Sequence, residues 1–334
     1  MNEKAIAWIE SAGPWAPWLC LAIFLLGSAL MIWRLESLGA GGVEGTVLGT
    51  LVMPYCSGLG NLIFAYVLGR SGGDSGEVMT NCLVNNVTNM TLLIGLPAAL
   101  WGLSLIPKKS AKPKKGKNGD EKHRVNRLSL LLTLLAVLFF TGATWALGRD
   151  GEIGFADGLV LVGLFLFWQT FHVFEVLKSN PRQKRGFGLM LIVDLPLLLA
   201  GAYAVYVTTG WLVNWVQSLD SGFISAKHLG WLSGWLMVVP NGLLALYYAV
   251  KRRAEVVYTS QIGDGHICIP LCLGVFALFR PIPVPDFFAL GVWLLVGAAA
   301  VHFFFVAVFG SLPRIAGALL AASYGVFLWK GLIK

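Results

Sequence analysis

Two short polar strings, each set inside a long apolar run, hold most of the side chains in this sequence that could do chemistry. The first is TNCLVNNVTN, from Thr80 to Asn89, and the second is TSQIGDGHIC, from Thr259 to Cys268. Laid side by side without gaps, they pair Asn81 with Ser260, Asn85 with Asp264, Asn86 with Gly265 and Asn89 with Cys268. Residues at i, i+4 and i+8 lie close to one helix face. Asn81, Asn85 and Asn89 therefore form one polar stripe, and Ser260, Asp264 and Cys268 form another. A lone asparagine in an apolar run would be read as a bond between neighbouring helices. Four within nine residues, matched by a second polar string, point instead to a solute or ion site.

Each string follows a run that contains a proline: Pro54 in GTLVMPYCSGLGN and Pro240 in MVVPNGLLAL. A proline inside a helix removes a donor and clashes with the preceding turn, which frees carbonyls. At membrane depth such carbonyls are tolerated only where protein or a water-filled cavity satisfies them. Helix breaks are therefore expected at Pro54 and Pro240, with Tyr55, Ser57, Asn241, Thr259 and Ser260 completing the lining around the four asparagines and Asp264.

Other ionisable and sulfur side chains offer weaker alternatives. His266 and Cys268 flank the second stripe and, with Cys56 and Cys82, raise the question of a softer metal. His266 is two residues from Asp264, about 200° around a helix, so the two share a site only where the helix unwinds. Asp194, well inside an apolar run and just before Pro196, is a candidate for proton coupling along with Asp264. His172 and Glu175 share a face, but Lys178 follows closely and a surface position is the simpler reading. His302 is read as a hydrogen-bonded structural histidine. Five cysteines show no CxxC pairing, and neither a disulfide framework nor a cofactor motif is legible.

The elements that must position these residues follow from composition. Of 334 residues 57% are hydrophobic and 13% charged, with a mean hydropathy of +0.73. Soluble domains carry about 25% charged residues, so the expected class is an all-α, polytopic membrane protein. A helix crossing the hydrocarbon core needs about 20 apolar residues. That length divides the chain into ten spans near 16–34, 44–69, 78–104, 127–147, 154–178, 187–217, 226–251, 257–279, 286–307 and 313–331. The stretch before Pro14 lacks the layout of a cleaved signal peptide.

The net charge of +8 suggests no nucleic-acid partner, because nine of the 25 Lys and Arg residues lie in one segment from Lys108 to Arg127. Ten alternating spans put eighteen basic residues on one side and seven on the other, so the richer side is expected to be cytoplasmic and both termini outside. The organisation expected is a first half over 1–107, a basic cytoplasmic loop over 108–126, two spans over 127–178, a second cytoplasmic loop over 179–186 and a second half over 187–334.

In span count, orientation and motifs the sequence resembles the calcium/cation antiporter superfamily, which includes the sodium/calcium exchangers. Gly49, Thr50 and Pro54 are similar to its GTSxPE-like motif, with one extra residue between Thr50 and Pro54. Asn81, Asn86 and Asn89 are similar to its GNxxGSNxxN-like motif, with Asn85 at the serine position. In the later repeat Pro240 matches the proline, Asn241 follows it and Asp264 takes the serine position. The resemblance implies two inverted repeats of five helices, a midplane ion site and, as in simple prokaryotic members, a bacterial inner membrane. Where the family places a carboxylate after each proline, its principal calcium ligand, this chain has Tyr55 and Asn241.

Calcium takes six to eight oxygen ligands and normally several carboxylates. The expected function is therefore a secondary transporter of the cation-exchanger kind, working by alternating access on a monovalent cation, a proton-coupled cation or a small polar solute. Its partners would be membrane lipids and that ion or solute. Alternatives are an intramembrane enzyme acting on a lipid, a transition-metal transporter, or a channel; no HExxH or GxSxG motif supports the enzyme.

Overall fold

The computed structural model describes residues 3–40, 53–105, 117–179 and 190–333, and most of them are helical. A short α1 (Glu3–Glu10) precedes α2 (Ala16–Ala40) and α3 (Met53–Ser71). Next, α4 (Gly76–Val87) runs through a π-helical turn, Thr88–Leu93, into α5 (Ile94–Trp101). Three long helices follow: α6 (Lys117–Leu147), α7 (Phe155–Ser179) and α8 (Met190–Gln217). After α9 (Leu229–Val250), α10 (Ala254–His266) runs through a second π turn, Ile267–Cys272, into α11 (Leu273–Ala277). The described chain closes with α12 (Phe288–Phe309), α13 (Arg314–Leu328) and a terminal π turn.

Each of the ten expected spans contains a helix among the described residues. Seven segments are long and apolar enough to cross a membrane, and Phe155–Phe171 is a shorter apolar one. Met53–Ser71 and Ala254–Ala277 are not among the seven, the latter because its polar string dilutes the apolar content. The fold is thus a polytopic bundle of apolar helices.

The bundle is organised by pairs that repeat in its two halves. α4 packs on α9, and its counterpart α10 packs on α3; α5 packs on α13, and its counterpart α11 packs on α7. The α2–α8 and α6–α12 pairs each join one helix of either half. Two-stranded latches follow the same rule. β1 (Leu103–Ser104), after α5, pairs antiparallel with β4 (Ser311–Leu312), before α13. β3 (Ile282–Pro283), after α11, pairs antiparallel with β2 (Glu152–Ile153), before α7.

Glycine makes two of these contacts close. A Cβ on Gly95 would lie 2.8 Å from the Gly317 carbonyl, and one on Gly158 would lie 2.8 Å from the Gly274 carbonyl. The ungapped pairing that sets Asn81 against Ser260 also sets Gly95 against Gly274 and Thr88–Leu93 against Ile267–Cys272. Each half therefore has a polar string, then a π turn, then a glycine anchored on a neighbouring helix. Such turns insert a residue into the α-helical ladder and occur frequently at functional sites.

The break expected at Pro240 is not where the backbone departs from α geometry. α9 continues through Pro240, and the departures fall in the π turns of the following spans. Pro54 lies in α3 at the edge of the described residues, and its side chain is outside them.

Candidate functional site

The two polar strings meet. Asn81, Asn85, Asn89 and Asp264 are all fully buried, and Asn86, Asn241 and Ser260 nearly so. Asn89 Nδ2 donates to Asn85 Oδ1 at 2.9 Å and to Asp264 Oδ2 at 3.1 Å. Asn241 Nδ2, from α9, donates to the same Asp264 oxygen at 3.0 Å. One carboxylate thus ties the first polar string, the second and the helix that carries Pro240. A buried carboxylate is tolerable where donors face it, and here two amides do so.

The network extends through residues the sequence reading passed over. Asn85 Nδ2 donates to Asn61 Oδ1 at 3.4 Å, bringing in α3. Gln261 Nε2 donates to the Asn241 carbonyl at 3.1 Å and to Ser260 Oγ at 3.0 Å. Gln261 lies three residues before Asp264, close to the same helix face, so its signal was present in the second string. Asn81 Nδ2 donates to Ser233 Oγ at 2.9 Å, a side chain that nothing in the sequence marked.

Most amide nitrogens in this network are used, Asn61 Nδ2 excepted, while several oxygens are left over. Asn81 Oδ1, Asn89 Oδ1 and Gln261 Oε1 are buried and have no hydrogen-bond partner among the described residues. Buried acceptors without donors are costly in a low-dielectric interior, and a cation supplies what they lack. Beside Asn241 and Pro240 lies a cavity of about 20 Å³, also lined by Ser28, Gly60 and Met237. A space of that size holds about one water.

The remaining predicted residues separate from this cluster. Asn86 Nδ2 donates to the Cys82 carbonyl at 2.7 Å, and a Cβ on Gly265 would come within 3.0 Å of its Oδ1. The close approach thus needs a glycine opposite it. Thr259 is exposed and donates to the Glu255 carbonyl of its own helix at 3.0 Å, so it faces away from the chamber. Its position one residue before Ser260 turns it about 100° off the polar stripe. Tyr55, Cys56 and Ser57 have side chains outside the described residues, as do His172 and Glu175, and Gly49 and Thr50 lie outside altogether.

Asp194 is buried away from the network, on α8, where Arg34 Nη1 of α2 donates to its Oδ1 at 3.3 Å. His266 Nε2 lies 3.3 Å from the Thr133 carbonyl, with Phe140 and Trp168 edge-on to its ring. Cys268 is buried with Cys82 and Cys272 as free thiols. Among the described residues no three His, Cys, Asp or Glu side chains are grouped so as to hold a metal ion. His302, as expected, is bonded: its Nε2 is 2.8 Å from the Met90 carbonyl in the first π turn.

A larger cleft of about 390 Å³ lies between α2, α8 and α9, with a mostly apolar lining that includes Pro17, Leu21, Val213, Leu229, Ser233 and Met237. Ser233, the partner of Asn81, is among its few polar residues.

The described residues form a bundle of paired apolar helices around buried amides and the Asp264 carboxylate. The family model described as sodium/calcium exchanger protein matches residues 14–174. The fold is similar to solved structures of the sodium-calcium exchanger NCX_Mj. One, soaked with 10 mM Na+ and zero Ca2+, has a TM-score of 0.67 at 22% identity, covering 94% of this chain and 96% of that one. Another, soaked with 2.5 mM Na+ and 1 mM Sr2+, has a TM-score of 0.66 at 20% identity, covering 93% and 95%. No curated protein matches the chain. The chain is thus similar to sodium/calcium exchangers in the family model matched over residues 14–174 and in its fold.

Proposed function

We propose that this protein is a secondary active exchanger that moves a monovalent cation, with or without proton coupling, by alternating access around Asp264. The observation that carries this reading is the single buried carboxylate held by amides from two other spans, Asn89 and Asn241, with the amide oxygens of Asn89 and Gln261 left over. A monovalent cation bound there would be neutralised by Asp264. A calcium ion would retain a net positive charge in a low-dielectric interior, and a lone carboxylate falls short of the several it normally takes.

On this reading the ligands come from Asn81, Asn85, Asn89, Asn241, Ser260, Gln261 and Asp264. Ten crossings put both termini outside, and the basic segment from Lys108 to Arg127 lies in the cytoplasm. The test is flux in proteoliposomes with Na+, K+ and Ca2+ supplied in turn against defined counter-ion gradients. Uptake of a monovalent cation that requires an opposing cation or proton gradient is expected, and Asp264→Asn should abolish it. Gradient-independent current, or calcium uptake that survives Asp264→Asn, would overturn the reading.

A further inference from the structure

Met237 belongs to both cavities. Its side chain lines the apolar cleft of about 390 Å³ and also the cavity of about 20 Å³ beside Asn241, and it is itself only 3% exposed. It seats against α3 at a glycine: a Cβ on Gly60 would lie 2.3 Å from Met237 Sδ. Gly60 adjoins Asn61, whose Oδ1 accepts from Asn85, so the seat is one residue from the polar network. On the other side of the thioether the cleft reaches Ser233, one turn earlier on α9, and continues past Leu229 and Ile224 to the end of the bundle.

From this we infer that Met237 is the gate between the cleft and the small cavity at Asn241, the Asp264 partner, hereafter the chamber. Methionine suits the position because its unbranched chain has three rotatable bonds and fills irregular gaps. Turning it out of the Gly60 notch requires only rotamer changes, and doing so joins the two cavities without moving a helix. With the thioether seated, the apolar lining around it excludes water from the chamber, as hydrophobic constrictions do. Gly60 is then required as the socket, since any side chain there occupies the space of the sulfur. The importance of the gate rests on the cation-site reading of the Asp264 network, but the access it controls can be measured without transport.

The experiment places a cysteine at Ser28, which lines the small cavity but not the cleft. Its reaction with a small cationic methanethiosulfonate is followed in the full-length protein in lipid nanodiscs, as the increment over the parent with its native thiols. Labelling of S28C is expected to be slow. S28C/M237A should react roughly tenfold faster or more, the change produced by ~1.4 kcal/mol of lost closure. S28C/M237L, which keeps the bulk, should stay within about threefold of S28C, and S28C/G60A should react faster because the socket is filled. Should M237A fail to fold, M237V serves as the shortened side chain. Equal labelling rates with and without the full side chain would overturn the gate. If rates respond while no cation is transported by the parent, the gate stands and the cation reading falls.

Discussion

At the residue scale, charge count is the proposed difference between this site and one built for a divalent ion. Asn241 donates to Asp264 at 3.0 Å from the position where the family pattern carries an acid. Asn241→Asp should therefore let Ca2+ compete with the transported cation, read as a calcium-dependent thermal shift absent from the parent; no shift would mean that more than one missing charge excludes the ion. Asp194 gives the contrasting case. Paired with Arg34 and remote from the network, it is proposed to serve stability, and Asp194→Ala should cost about 3–5 kcal/mol by leaving the largely buried Arg34 without its carboxylate. Asp194→Asn with Arg34→Gln should recover much of that loss in a denaturation assay, leaving the cation-to-proton ratio unchanged. A changed ratio would make Asp194 a coupling residue. The asparagines and Asp264 were legible because amides and acids are rare in apolar runs. The bond from Asn81 to Ser233 was not, since one serine in a span has many bland explanations.

At the element scale, the π turns set register. Each inserts a residue between a polar string and its anchoring glycine, so one part of the span faces the chamber while the next packs on a different helix. His302 supports the first turn through the Met90 carbonyl, one residue after Asn89. His302→Ala should destabilise the protein by about 1–3 kcal/mol as an unpaired carbonyl is left in the interior, and His302→Gln, which keeps a donor, should restore part of it. Equal melting temperatures for the two variants would remove His302 from that role. Gly95→Ala should cost about 1–3 kcal/mol by overpacking against Gly317, read as a lower melting temperature. The sequence located these spans but placed the irregularity at Pro240. Proline advertises a lost donor, whereas an inserted residue leaves no composition signal and emerges only when two helix faces must be satisfied together.

At the scale of the whole molecule, the latches fix which loops share a side. β1 with β4 joins the loops after the third and before the tenth spans, and β2 with β3 joins those before the fifth and after the eighth. An even number of crossings between each pair is what ten alternating spans require. Cysteines placed at Ser104 and Ser311 should react only from the cytoplasmic side, and cysteines at Glu152 and Asp150 only from outside. Labelling of Ser104 and Glu152 from the same face would break the topology. The span pattern was readable because bilayer thickness imposes one length on every helix. The pairing of helices across halves depends on shape complementarity, which hydropathy does not encode.

Pro14 and Pro17 line the cleft shared with Leu229, and a Cβ on Gly331 would lie 2.8 Å from the Trp231 ring. The first and last helices thus reach the same end of the bundle, and each half supplies matching partners to the other. A circular permutant, with those ends tethered and a new opening cut between residues 180 and 189, would present every helix with the same neighbours. A permutant that folds with the parent's melting temperature would show that the assembled bundle does not depend on the order in which its halves are translated.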